Sequence, residues 1–351
     1  MNFALPATID IDPETLRLIT KIDEFKGQWR VMQTLSPERL KGLRRVATIE
    51  SVGSSTRIEG SRMTDREVEE LLGKIDIGSF RTRDEQEVAG YAYIMEQVFA
   101  HHREIPLNQN MMLQLHRDLL QFSTKGDRHR GEYKSLPNNV ATFDADGREI
   151  GIVFETSTPF DTPTHMESLL DWHRRAEADG SLHPLQRISI FVVIFLAIHP
   201  FQDGNGRLSR IITALLLLRA GYTYVPYASL EAIIEQNKEA YYLALRRTQV
   251  SWRDGKPDWS AWLHFFLRSL NAQIQRLNER TESLLQPLSV LARELAALFE
   301  NSETLTMKQA LGALPGNSRT ALKSRFTELI EAGLISAHGK GRGAFYARKQ
   351  K

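Results

Sequence analysis

In "EQEVAGYAYIMEQVFAHH" the apolar side chains fall three and four residues apart, and the same spacing runs through "NQNMMLQLHRDLLQF" after a break at "REIPLN". That period gathers the apolar positions on one face and predicts two helices. Start signals precede them. "TDRE" at Thr64 and "TRDE" at Thr82 are capping boxes, and "SPER" at Ser36 places a capping residue before a first-turn proline. The pattern changes between Gly131 and Pro163, a stretch rich in Gly, Pro, Asn and Thr, where "DADG" lies between two short segments of β character and predicts a hairpin. Helical period returns in "THMESLLDWHRRAEADG", in "LQRISIFVVIFLAI" and in "RLSRIITALLLLRAG", which Gly221 would stop. "SLEAIIEQNKEAYYLALRRTQ" and the segment from Asp258 to Glu300 read as further helices, with a boundary near Asn301. The fold class is therefore mainly α, a helical core with a β-hairpin flap followed by a small C-terminal domain.

Composition narrows the setting. A chain of 351 residues that is 42% hydrophobic and 25% charged has the make-up of a soluble globular protein with a sizeable core. It has no cysteine, which removes disulfides, thiolate metal sites and cysteine nucleophiles. The start "MNFALPATIDIDPE" lacks the basic and apolar regions of a signal peptide, and the apolar runs are too short to cross a bilayer. The expectation is a cytoplasmic protein with no membrane partner. Net charge is only +2, yet residues 303–351 hold nine Lys or Arg against three Glu, a local +6.

The chemistry concentrates in "IHPFQDGNGRLSR", Ile198 to Arg210, between the two most apolar runs. A helix ending near His199 and another starting near Gly206 would leave a tight loop whose free N–H groups lie at a helix N-terminus, a place that binds anions and commonly phosphate. Gly204 and Gly206 admit close backbone approach, and Arg207 and Arg210, three apart, present two guanidinium forks on one face. Asp203 offers a hard oxygen for Mg²⁺ shared with substrate phosphates. His199 is the one group of the loop suited to take a proton near neutral pH. Each feature alone has an ordinary structural explanation, but packing does not ask for this much charge between two buried helices.

The run "HPFQDGNGRLSR" resembles the signature of the Fic family, HPFx[DE]GNGRxxR, with every defined position filled, and "HRDLL", "GEYK", the hairpin and "MESLLDWH" extend the likeness over roughly residues 80 to 250. Fic proteins are helical enzymes that mostly move AMP from ATP to a hydroxyl of a target protein. The resemblance implies that His199 is the general base, that Asp203 holds Mg²⁺, and that Asn205 with the amides near Gly204 and Gly206 cradles the α and β phosphates. It further implies that Arg207 neutralises departing pyrophosphate and Arg210 grips the γ phosphate. Nothing in the triphosphate grip reads the base, so UMP or phosphocholine donors stay open.

Upstream, "SVGSSTRIEGS" closes a helix at Gly60 and sets Glu59 at a helix C-terminus, where the dipole disfavours a carboxylate. Ser55, Glu59 and Gly60 match the Fic inhibitory signature [ST]xxxE[GN]. The resemblance implies that Glu59 pairs with Arg210 and denies it to ATP, and in some relatives such a glutamate also serves AMP removal. Residues 1–80 then form an N-terminal region carrying an inhibitory helix, 81–250 the Fic core, 251–302 a helical connector, and 303–351 a winged helix-turn-helix. In that last domain Ser318 to Leu329 is the candidate recognition helix and Lys340 and Arg342 lie in the wing. Partners expected are a target protein at the flap and DNA at residues 303–351, with a homodimer left open. Two functions compete: an autoinhibited AMP transferase, and a DNA-binding regulator whose Fic-like domain senses nucleotide. The intact His199 favours the first, since a sensor needs no base.

Overall fold

The computed structural model describes the chain except residues 1–4, 33–36, 74–79, 125–128, 144–148, 286–288, 301, 332–333, 340–343 and 349–351. Its contacts divide it into two units, Met1–Met32 with Arg45–Ile274, and Gln33–Arg44 with Gln275–Lys351.

The larger unit is helical. It contains α1 (Pro13–Met32), most of α2 (Pro37–Ile58), α3 (Asp65–Leu72), α4 (Arg83–His101) and α5 (Gln109–Leu119), then the strands β1 (Val140–Phe143) and β2 (Glu149–Phe154). α6 (Thr162–Asp179), α7 (Pro184–Ile198), α8 (Asn205–Arg219), α9 (Leu230–Gln236), α10 (Lys238–Arg253) and the first part of α11 (Ser260–Leu285) follow. Both capping boxes form: Thr64 and Thr82 each accept the N–H of the glutamate three residues on, which bonds back. The Ser36 cap and the "DADG" turn lie outside the described residues.

α7 is apolar on every side from Ile190 onward and is buried from Leu185 to Ile198, and α8 is buried from Arg207 to Leu218. Helices buried on every face occupy the centre of a domain, so these two place the loop between them deep in the unit. α4 and α5 close over that loop. They cross at Gly90, where a Cβ would collide with the Leu119 carbonyl. The flap pairs antiparallel, with Val140 opposite Phe154 and Thr142 opposite Gly151.

One predicted helix divides. "SLEAIIEQNKEAYYLALRRTQ" breaks at Asn237, whose side-chain amide donates to the Ile233 carbonyl at 2.8 Å and competes with the backbone ladder.

The smaller unit holds α12 (Val290–Ala297), β3 (Thr304–Thr306), α13 (Met307–Ala313), α14 (Arg319–Glu331), β4 (Ile335–His338) and β5 (Phe345–Arg348). Its sheet runs β3-β5-β4, antiparallel throughout. Ala292 and Leu295 of α12, which the sequence assigned to the connector, share one core with Leu305, Leu322, Phe326 and Leu329, because the apolar stripe of "VLARELAALF" has that core to cover. Lys340 and Arg342 lie outside the described residues. Among the described residues no helix is long and apolar enough to cross a membrane.

Candidate functional site

The loop from His199 to Gly204 is held by its own chemistry. His199 ends α7 in the left-handed region at φ 52°, the one non-glycine residue with positive φ among those described, and Gly204 enters α8 at φ 81°. Strain of this kind, about 1–3 kcal/mol, persists where surrounding bonds over-determine it. Those bonds are present. Asn205 accepts the Phe201 N–H at 2.9 Å and donates to the Phe201 carbonyl at 2.7 Å, closing the loop on itself. From the flap side, Lys134 Nζ donates to the Ile198 carbonyl at 3.0 Å, Asn138 to the His199 and Phe201 carbonyls at 3.3 and 2.6 Å, and the Lys134 N–H to the Pro200 carbonyl at 2.9 Å. The carbonyl of Ile198 and those of the three residues after it are thus each met by one segment. From below, the His116 ring stacks on Phe201 with centroids 3.9 Å apart. Its Nε2–H reaches the Asp203 carbonyl at 3.1 Å, and its Nδ1 accepts the Gly131 N–H at 3.0 Å.

Asn205 also lines the site, and its side chain is engaged in building the loop.

His199 lines a pocket of about 730 Å³ with Asn138, Asp203, Gly206, Tyr241 and Glu59. Its Nδ1–H points at the Leu196 carbonyl, 3.3 Å away, which leaves Nε2 as the basic nitrogen. Burial pushes the imidazole down to about 4, so the ring is neutral at physiological pH.

Arg207 and Arg210 are 2% and 4% exposed, and both are engaged by carboxylates. Arg207 lies 3.2 Å from Glu87 and donates to Asp203 at 3.1 Å. Asp203 uses that same oxygen for the Gly204 N–H, while its other oxygen has Arg83 at 3.9 Å. Burial raises the Asp203 carboxyl, and Arg207 more than offsets this, so it is held below the ordinary carboxylate range. Arg210 donates to the Ser55 hydroxyl at 2.8 Å, the Ser55 carbonyl at 3.0 Å and Glu59 at 2.7 Å.

Glu59 follows the end of α2, and Gly60 at φ 103° turns the chain away. Its carboxylate lies against the first turn of α8, so close that a Cβ on Gly206 would collide with Oε1. Burial opposes the ionised carboxylate, and Arg210 outweighs it, so its pKa is lowered. A carboxylate thus stands where the sequence places phosphate. Even so, Arg210 Nη1 and Arg207 Nε are buried donors without a hydrogen-bond acceptor among the described residues. The site holds more positive donor capacity than its own acids use.

The structure brings His199, Asp203, Gly204, Asn205, Gly206, Arg207, Arg210, Glu59 and Ser55 to one place. Glu87, Lys134 and Asn138 belong to it as well and went unread, and His116 braces it from the buried core. Glu87 had a signal, since it stands in register with buried Tyr91, Ile94 and Val98 on α4, where a carboxylate needs a partner. Asn138 had none.

Helical architecture with a loop-borne anion site between two buried helices defines the class. Residues 106–217 match the family model described as "Fic/DOC family". It is similar to protein adenylyltransferase Fic of Drosophila willistoni, 38% identical over 88 residues, which is 25% of this chain and 16% of that protein. A Fic family protein from Desulfovibrio desulfuricans G20 superimposes with a TM-score of 0.63 at 22% identity, covering 99% of both chains. A Fic domain containing signaling protein from Bacteroides thetaiotaomicron does so with a TM-score of 0.57 at 26% identity, covering 74% of this chain and 97% of that one. The chain spans 16% to 37% of the length of the curated relatives it matches.

Proposed function

We propose that the protein transfers AMP from ATP to a hydroxyl side chain of a target protein and that Glu59 restrains it. The relatives' name, protein adenylyltransferase, supports the reaction class. The observation that carries the restraint is the 2.7 Å contact between Glu59 and Arg210, with the carboxylate resting on the first turn of α8. In the reaction the target hydroxyl oxygen bonds to the α phosphorus, the bond from that phosphorus to the bridging oxygen breaks, pyrophosphate leaves, and the hydroxyl proton passes to His199 Nε2. Positioning and charge stabilisation carry such chemistry. The vacant donors on Arg207 and Arg210 suit a polyphosphate. Mg²⁺ enters with ATP as part of the substrate, and Asp203 suits it because one oxygen takes no hydrogen bond among the described residues. We place target docking at the flap, where a strand edge would pair with an extended segment.

The test is incorporation of α-labelled ATP with Mg²⁺. Glu59→Gly should label at least about tenfold faster than the parent, equivalent to about 1.4 kcal/mol, and His199→Ala should abolish labelling in either background. Equal labelling with and without His199 would leave the nucleotide-sensing regulator as the reading. Loss of AMP from a modified target, abolished by Glu59→Gly, would add the removal reaction, in which Glu59 positions water.

A further inference from the structure

We propose that the outward face of α14 binds duplex DNA. The smaller unit supplies the frame: β3, α13, a turn, α14, then β4 and β5, the element order of a winged helix. Gly316 at φ 94° makes the turn, and Ser318 caps α14 through the Ala321 N–H at 3.1 Å. Leu322, Phe326 and Leu329 are fully buried, and Phe326 stacks on Tyr346 of β5 with centroids 3.7 Å apart. This fixes which face is left outside. Arg319, Thr320, Lys323, Ser324 and Thr327 are exposed, and at spacings of one helical turn they form a straight stripe.

Among the residues whose side chains are described, the stripe has no acid. Glu328, the acidic side chain described on α14, is turned inward, accepting the Ser289 N–H at 2.7 Å and pairing with Arg325 at 2.7 Å. A merely solvated helix face mixes signs, because opposite charges four apart stabilise it and like charges cost a few tenths of a kcal/mol. Here Arg319 and Lys323 are like charges four apart, and Arg319 also stands in the first turn, where the helix dipole disfavours a cation. Both placements are unfavourable in isolation and favourable against phosphate. Cations, hydroxyls and helix width, about 10–12 Å, match a B-form major groove of about 12 Å. The deep, narrow groove of A-form RNA does not admit a helix.

The experiment is fluorescence anisotropy of the full chain with a random-sequence duplex of about 30 base pairs, starting near 50 mM salt and raising it. The parent should bind, and Arg319→Ala with Lys323→Ala should weaken binding at least about tenfold and flatten the logarithmic salt slope by about 2, roughly one unit for each lost phosphate contact. Arg174→Ala, an exposed cation of the other unit, should change little. His199→Ala should bind as the parent does, which separates this proposal from the enzymatic one. Absence of binding near 50 mM salt, unaltered binding by the double variant, or equal competition by double-stranded RNA or polyglutamate would overturn it.

Discussion

The restraint proposed for Glu59 depends on where α2 ends, and that end is pinned. Arg57, in the last turn of α2, donates from Nε and Nη2 to both oxygens of Glu235 on α9, at 2.7 and 3.0 Å, and from Nη1 to the Met63 carbonyl at 3.0 Å. Lys238 donates to the Ile58 carbonyl at 2.7 Å and neutralises the helix end. The Arg57–Glu235 pair is bidentate and 22% and 29% exposed, so screening trims it without erasing it. Glu235→Gln keeps the shape and one acceptor but removes the charge, a loss of about 1 kcal/mol from a range of about 1.5–3 for hydrogen bonds to charged groups. If that loss falls on the docked state of α2, basal self-labelling with α-labelled ATP should rise about fivefold, below the Glu59→Gly ceiling. In the Glu59→Gly background the same substitution should add nothing, because the restraint is already gone. An equal rise in both backgrounds, or no rise in the parent at unchanged melting temperature, would refute the pin.

Two other outcomes follow from the site. Burial favours neutral His199, with protonation pushed down to about 4, and removing Glu59 takes away a charge that raises it. Labelling by Glu59→Gly should therefore stay level from about pH 8 to about pH 6, where an unperturbed imidazole of about 6.5 would cut it about fourfold. Glu59, with its pKa lowered by Arg210, stabilises the docked state above its unfolded value and loses that contribution only as pH falls through the lower folded one, so restraint in the parent should persist over the same interval. His116→Leu deletes the acceptor for the buried Gly131 N–H and the donor to Asp203, costing about 1–3 kcal/mol. It should lower the melting temperature by several degrees and labelling by Glu59→Gly about tenfold, and a fully active variant would show that the loop does not need its brace.

Much of this was legible because the signals were local. The runs before Ile198 and after Arg210 are apolar on nearly every face, which compelled a buried helix pair, and the residues between them are consecutive. Glu59 could be read from the cost of a carboxylate at a helix end. What could not be read depends on approach between distant segments. Lys134 and Asn138 meet the end of α7 across more than sixty positions, and Glu87 meets Arg207 only because α4 crosses near the loop. Asn237 splits a continuous helical pattern through one side-chain bond that periodicity does not register. The bonds from the Asn205 side chain to Phe201 were equally out of reach, since they depend on how the loop folds back.

Ser55 shows how one contact can belong to both the restrained and the active state. Its hydroxyl and carbonyl each accept from Arg210, and Ser55 is fully buried, so these bonds do not require Glu59. When Glu59 leaves, Arg210 is still aimed at the first turn of α8, with Nη1 already lacking an acceptor. An arriving phosphate then meets a preset guanidinium and need not order one. On this account Ser55→Ala is not an activating change. It strands Arg210 Nε, at about 1–3 kcal/mol, and in the Glu59→Gly background should raise the KM for ATP and lower labelling about tenfold, measured by titrating ATP. Were Ser55 only a part of the restraint, the variant would instead label faster in the parent and leave Glu59→Gly unaltered.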